Sequence, residues 1–277
     1  MTPTYTLHDG STLPAIGFGT YPLRGREGVE AIASAIRIGY RLVDTAVNYQ
    51  NETEVGEALR RAGVPRDELW VTSKIPGRDH AYDKAIASTK DSLKRLGLDH
   101  LDLHLIHWPN PSVGRYVEAW QALVDLQKQG LVKAIGVSNF TEAHLRRIIE
   151  ATGVTPVVNQ IEMHPLFPQE RMRAVHAELG IRTEAWSPLG KRQAQYDAPA
   201  VREPADRLGV SPGQVILRWH HQLGSIPIPK SADPGRQAEN LSIFDIELTD
   251  AEVAAITALG RPDGRLFGGD PDTHEEM

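Results

Sequence analysis

The chain has 277 residues, no cysteine and a formal net charge of −6. The acidic balance argues against a general nucleic-acid or anionic-membrane partner. The lack of cysteine removes disulfides, thiolate catalysis and thiolate-bound metals.

Hydrophobic content of 40% with 24% charged residues is ordinary for a globular chain with a large core. No basic segment followed by an apolar core opens the chain, and no apolar run approaches the ~18 residues of a membrane helix. The expectation is a cytoplasmic protein.

Asp9-Gly10 between two short runs predicts a hairpin, read as a lid on one end of the fold. Ile16-Gly17-Phe18-Gly19 reads as a first strand. Its glycines are not a dinucleotide fingerprint, because Pro22 stands where the third would be. A repeating unit follows, in which an amphipathic helix ends in glycine and a short apolar strand comes next. Helix-stopping glycines at 39, 63, 97, 130, 153, 180 and 224 give seven such units after the initial strand. Eight strands with matching helices predict a (β/α)8 barrel as one domain over residues 1–277. The even count and the missing fingerprint favour it over a doubly wound sheet.

Within the repeat, Asn51-Glu52-Thr53-Glu54 reads as a capping box, with Asn51 capping and Glu54 reaching back. Glu52 is read as a cap group too. Two helices lie outside the repeat. Ala200 to Leu208 contains Pro204, so it either starts near Glu203 or kinks there. Thr249 to Glu252 is a second capping box. The tail beyond Phe267 is expected to cover little, leaving a fairly open pocket.

In such a barrel the active site lies at the carboxyl ends of the strands. Those ends carry Asp44, Lys74, His107, Asn139, Gln160, Trp186 and Lys230. Tyr49 follows Asp44 in the loop; taken alone it could be a surface tyrosine beside a helix cap. A phenol with an ordinary pKa near ~10 becomes a useful acid if a cation stabilises its phenolate. Lys74 can be that cation if Asp44 keeps it charged. His107 can hydrogen-bond a carbonyl oxygen. The set suits protonation of an oxygen that gains negative charge, as a carbonyl does on accepting hydride.

DTAVNYQNE, VTSK, LIHWP, IGVSN, NQIEMHP, AWSPLG and IPKS followed by ENL occur in this order. With them the chain resembles the aldo-keto reductases from end to end, closest to bacterial members similar to 2,5-diketo-D-gluconate reductases. The resemblance implies a proton donor, Tyr49, assisted by Lys74 and Asp44, with His107 orienting the substrate carbonyl. It implies NADPH as cofactor. Ser138, Asn139 and Gln160 would bind the nicotinamide carboxamide, and Trp186 would stack on the ring. Ser187, Leu189 and Gly190 would lie along the pyrophosphate. Lys230, Ser231 and Arg236 would grip the 2′-phosphate, and Glu239 and Asn240 would reach the adenine. Tyr21 and Trp108 would join Tyr49 and His107 in the substrate pocket. Asp233, in the phosphate loop, would weaken that grip.

His104 falls on the opposite strand face from His107 and is read as structural. His164, Trp70 and Trp219 are read as packing groups, and His220 and His221 as packing or surface groups. No His-x-His pair points to a metal, and no metal site is expected. The expected function is NADPH-dependent reduction of sugar-derived ketones, aldehydes and α-dicarbonyls by a monomer acting on small molecules. The rivals are a cofactor-binding partner module of the same fold and a metal-dependent hydrolase.

Overall fold

The alternation of helices and strands closes into a parallel barrel in the computed structural model, which describes residues 2–192 and 194–276. A hairpin of β1 (Thr4–Thr6) and β2 (Thr12–Pro14) comes first. The barrel strands are β3 (Phe18–Gly19), β4 (Leu42–Asp44), β5 (Trp70–Ile75), β6 (Leu101–Ile106), β7 (Val132–Ser138), β8 (Val158–Glu162), β9 (Arg182–Trp186) and β10 (Ile226–Pro227). They pair in sequence order, all parallel. The outer layer holds α1 (Gly25–Ile38), α2 (Glu52–Ala62), α3 (Tyr82–Leu96), α4 (Tyr116–Lys128), α5 (Glu142–Thr152), α6 (Glu170–Leu179), α8 (Pro212–Gln222) and α9 (Pro234–Leu241). The two helices outside the repeat are α7 (Pro199–Leu208) and α10 (Asp250–Thr257).

The ring closes between its first and last strands. Gly17 N–H donates to Pro227 O and Gly19 N–H to Pro229 O, both at 3.0 Å. A Cβ on Gly17 would lie 2.5 Å from Ile228 Cδ1 and one on Gly19 3.2 Å from Ile228 O, so glycine suits the close packing of this seam. That is the use of the two glycines that form no dinucleotide fingerprint.

Strand alternation divides the core. Leu103 and Leu105 fill the barrel interior with Leu42, Val158 and Ile226, covered from below by Leu7 and Leu13 of the hairpin. Ile106 packs with Trp120 and Leu123 of α4. The helix stops are left-handed as predicted, for example at Gly63 (φ 71°) and Gly180 (φ 72°).

Three local expectations are overturned. Asn51 precedes α2 but makes no capping hydrogen bond. It is fully buried; its Oδ1 accepts from Thr45 Oγ1 (2.6 Å) and its Nδ2 donates to Leu23 O (2.9 Å) and Thr20 O (3.1 Å). Glu54 instead accepts from Gly25 N, 3.1 Å away. Glu52 is also no cap group. It is buried, accepting from Ser73 Oγ (2.6 Å) and Arg95 Nε (2.7 Å), and so ties α2 to β5 and α3. Tertiary partners outcompete the helix's own N–H groups for these side chains. The helix α7 starts at Pro199, where a first-turn proline fits, and runs unbroken through Pro204. The box at Thr249 and Glu252 forms as expected.

Asn51 therefore holds the Thr20–Leu23 loop against the turn after β4. Asn51→Ala should strip several buried polar groups of their partner and destabilise the protein by about 2–3 kcal/mol. Urea unfolding would read this as a lower midpoint at unchanged slope; a midpoint equal to wild type would refute it.

Candidate active site

Neighbouring parallel strands bring the candidate proton-handling groups to one mouth of the barrel. Asp44 ends β4, Lys74 lies near the end of β5, and His107 follows β6. Tyr49 closes a short 3-10 turn, Val47–Tyr49. Lys74 Nζ lies 2.6 Å from Asp44 Oδ1, 3.0 Å from Thr45 O and 3.3 Å from the Tyr49 hydroxyl. The Tyr49 ring stands edge-on to His107 with centroids 5.6 Å apart, and the Tyr21 ring centroid lies 5.2 Å from that of Tyr49. The four groups thus share one site.

The electrostatics are less simple than the sequence suggests. Burial raises the Tyr49 phenol above its ordinary pKa. Lys74 pulls it down, as expected, while Asp44 and Glu276 push it up, and the net shift is upward. Burial lowers the Lys74 pKa, but Asp44 and Tyr49 more than offset it and leave it raised. The ammonium stays charged and the phenol keeps its proton at neutral pH.

One cavity of about 1030 Å³ runs from this group along the strand ends. Tyr21, Asp44, Tyr49, His107, Trp108, Ser138, Asn139, Gln160, Trp186, Ser187 and Leu189 line it, as do Lys230, Ser231, Arg236, Glu239 and Asn240. Two predicted residues lie behind the wall. Lys74 is fully buried under Asp44 and Tyr49, which suits its supporting role. Gly190 is covered by the Gln195 amide, whose Nε2 donates to Gly190 O, so it does not reach the cavity.

The walls are rigidly tied. Trp186 Nε1 donates to Asn139 Oδ1 (2.8 Å), and Asn139 Nδ2 donates to His107 O and Ser138 Oγ (both 3.0 Å). Asn139 (φ 62°) and Ser187 (φ 49°) both take the left-handed backbone, a strain non-glycine residues accept mostly where a site needs it. Gln160 Nε2 donates to Asp44 Oδ2 and Glu184 Oε2, both at 2.9 Å.

At the far end, Lys230 and Arg236 are exposed and form no ion pair among the described residues. Asp233 accepts from Arg236 N at 2.8 Å as the cap of α9 and does not line the cavity. Two free cations at one end and amide groups at the other fit a dinucleotide bearing a 2′-phosphate.

The histidines read as packing groups are just that. His104 bonds Ser73 O (2.9 Å) and Thr89 Oγ1 (3.1 Å), and burial lowers its pKa to about 4. His220 bonds Pro188 O and Ser225 Oγ, while His164 pairs with Glu162.

Two acids escaped the sequence reading. Glu184 shares the inward phase of β9 with Trp186, and a charge at an inward strand position is the signal that could have found it. Burial, then the Asp44 charge, raises its pKa to about 8. The other is Glu276, and it overturns the expectation that the tail covers little. Glu276 Oε1 lies 2.8 Å from His107 Nδ1, its backbone O accepts from Asn110 Nδ2, and His274 packs on Trp108 with centroids 4.2 Å apart. Phe267 sits edge-on to Trp186 at 5.2 Å. The tail crosses the mouth beside Tyr49 and His107, and no periodicity in its sequence announces this.

Comparison with known proteins agrees with this geometry. The profile of the aldo/keto reductase family matches residues 15–261. The chain is 58% identical to 2,5-diketo-D-gluconic acid reductase B of Corynebacterium sp. (strain SHS752001), over 99% of both chains. It is 45% identical to methylglyoxal reductase DkgA of Escherichia coli (strain K12), over 96% of both. The crystal structure of a Gox0644 mutant in complex with NADPH superposes with a TM-score of 0.94 at 44% identity, covering 99% of each chain.

Glu184 gives a stability signature. Its folded pKa of about 8 exceeds the ordinary carboxyl value, so the native state binds the extra proton between about pH 5 and 8. There the Glu184 contribution falls as pH rises. Buried histidines such as His104 act oppositely at lower pH, so the useful quantity is a difference. The stability of Glu184→Gln relative to wild type should grow from pH 5 to pH 8, read as the gap between their melting temperatures. A gap independent of pH would refute this.

Proposed function

We propose that this chain, which belongs to the aldo/keto reductase family, reduces small carbonyl compounds with NADPH, Tyr49 donating the proton. The observation that carries the reading is the Tyr49 hydroxyl held 3.3 Å from a buried, charged Lys74, inside a cavity that His107 also lines. When bound, NADPH supplies the hydride. The chain's own residues supply alignment and the proton. Tyr49 keeps its proton until a neighbouring oxygen gains negative charge. Lys74 then stabilises the phenolate left behind, and Asp44 keeps Lys74 an ammonium throughout. His107, beside Tyr49, would hold the same oxygen by a hydrogen bond.

The remaining contacts follow the cavity. Ser138, Asn139 and Gln160 would hold the carboxamide end beside Trp186. Ser187 and Leu189 would lie along the pyrophosphate. Lys230, Ser231 and Arg236 would take the 2′-phosphate, with Glu239 and Asn240 at the adenine. Gly190 would act only by shaping the turn. Tyr21 and Trp108, with the tail, would enclose the substrate.

Sugar-derived ketones and α-dicarbonyls are the favoured substrates. The relatives named for 2,5-diketo-D-gluconic acid and methylglyoxal support that class. A cytoplasmic monomer without nucleic-acid or membrane partners belongs to the same proposal; the net charge of −6 and the lack of cysteine support it. No helix of the described residues is long and apolar enough to cross a membrane.

Two measurements test the reading. Tyr49→Phe should lower kcat with an α-dicarbonyl by ~10²–10⁴-fold while leaving NADPH binding nearly intact; retained turnover would count against a phenol donor. The wild-type enzyme should favour NADPH over NADH by tenfold or more in kcat/KM. The double variant K230A/R236A should lose most of that ratio, since each charge-assisted contact is worth about 1.5–3 kcal/mol. Equal kcat/KM for the two nucleotides in the wild type would refute the phosphate grip.

A further inference from the structure

Two buried carboxylates share the barrel interior with one ammonium. Lys74 is committed to Asp44 at 2.6 Å. Glu184 sits beside Gln160 in the β8–β9 register, is 1% exposed, and forms no ion pair among the described residues. An apolar side chain would be cheaper to bury there than an acid. The acid's contacts suggest what it does.

Glu184 Oε2 accepts from Gln160 Nε2 at 2.9 Å, and Asp44 Oδ2 accepts from the same nitrogen at 2.9 Å. An amide nitrogen has two N–H groups, so both are used. The one polar atom that Gln160 has left for the cavity it lines is its oxygen, Oε1. Reversing the amide would set that oxygen against the Asp44 carboxylate, which is electrostatically unfavourable. Asp44 alone would hold one N–H and let the side chain turn about that bond. The second bond stops the rotation.

We propose that Glu184 is a positioning residue for cofactor recognition. By holding one N–H of Gln160 while Asp44 holds the other, it fixes the amide oxygen as an acceptor for the carboxamide –NH2 of the nicotinamide. This rests on the NADPH reading above. A neutral Glu184 serves the purpose, because its carbonyl oxygen still accepts. Its raised pKa, about 8 through burial and the Asp44 charge, spares the site a second anion beside the Lys74–Asp44 pair at neutral pH.

The test compares NADPH with its reduced 3-acetylpyridine analogue, in which a methyl replaces the –NH2. Dissociation constants measured by calorimetry need no turnover. Wild type should bind NADPH about five- to tenfold more tightly than the analogue, the scale of one hydrogen bond. Glu184→Gln keeps an acceptor and should keep that ratio. Glu184→Leu keeps the volume and removes the acceptor, so the ratio should fall towards one; Glu184→Ala replaces it if the leucine variant does not fold. Gln160→Leu should collapse the ratio by itself, and adding Glu184→Leu should lower it no further. A wild-type ratio in the folded Glu184→Leu or Glu184→Ala protein would overturn the inference while leaving the reductase reading intact. Failure of wild type to bind NADPH would overturn both.

Discussion

The ion pair between Lys74 and Asp44 is the constraint on which the site depends. Each ion loses nearly all its water, a cost of several kcal/mol per charge that only a close partner offsets. The 2.6 Å contact and the hydrogen bond to Thr45 O supply that partner. Both need β4 and β5 in their observed register, with Asp44 opposite Thr72 and Lys74 two residues further along the same face. Lys74 also reaches the Tyr49 hydroxyl through the ammonium, and the other oxygen of Asp44 holds Gln160. One carboxylate therefore links the Tyr49 end of the cavity to its amide-lined end, and a slip of either strand would break both.

Those parts of the molecule that repeat were legible in the sequence. Each helix needs an apolar stripe and a stop, and each strand ends at the rim, so helix-stopping glycines and strand-end groups mark the same seven repeat units. Asp44, His107, Gln160 and Lys230 could be placed from that pattern alone. What pattern could not supply was the choice between local and distant partners. Asn51 and Glu52 have the composition of helix caps, yet their bonds go to Thr20 and Leu23 in one case and to Ser73 and Arg95 in the other. A cap hydrogen bond is worth about 1 kcal/mol. Several buried bonds to otherwise unpaired groups are worth more, and they decided these side chains. Gly17 and Gly19 were legible only as exceptions; their purpose appears when the first and last strands meet.

Irregular segments gave no such handle. The tail is held by a buried acid on β8: Glu162 Oε1 accepts from Leu266 N at 2.7 Å and contacts His164 at 3.1 Å. From that anchor the chain returns over Trp108 to bring Glu276 to His107. Glu162 is about a hundred residues from the segment it pins, and neither end carries a periodic signal.

The tail changes the electrostatics of Tyr49, the proposed proton donor. Burial pushes the Glu276 pKa up, but the His107 imidazole, Asn48 and the Gly77 N–H more than offset this and leave it below the ordinary value. Glu276 is thus an anion beside Tyr49, and it joins Asp44 in opposing ionisation of the phenol. Among the described residues, Lys74 is the group that favours the phenolate there. A donor balanced in this way does not release its proton to water at neutral pH. In the proposed reaction it would give the proton up only to an oxygen that has become a stronger base than the phenolate, which a carbonyl oxygen becomes as negative charge reaches it. The carboxylates keep the proton in place beforehand, and the ammonium keeps the resulting phenolate from being prohibitively costly.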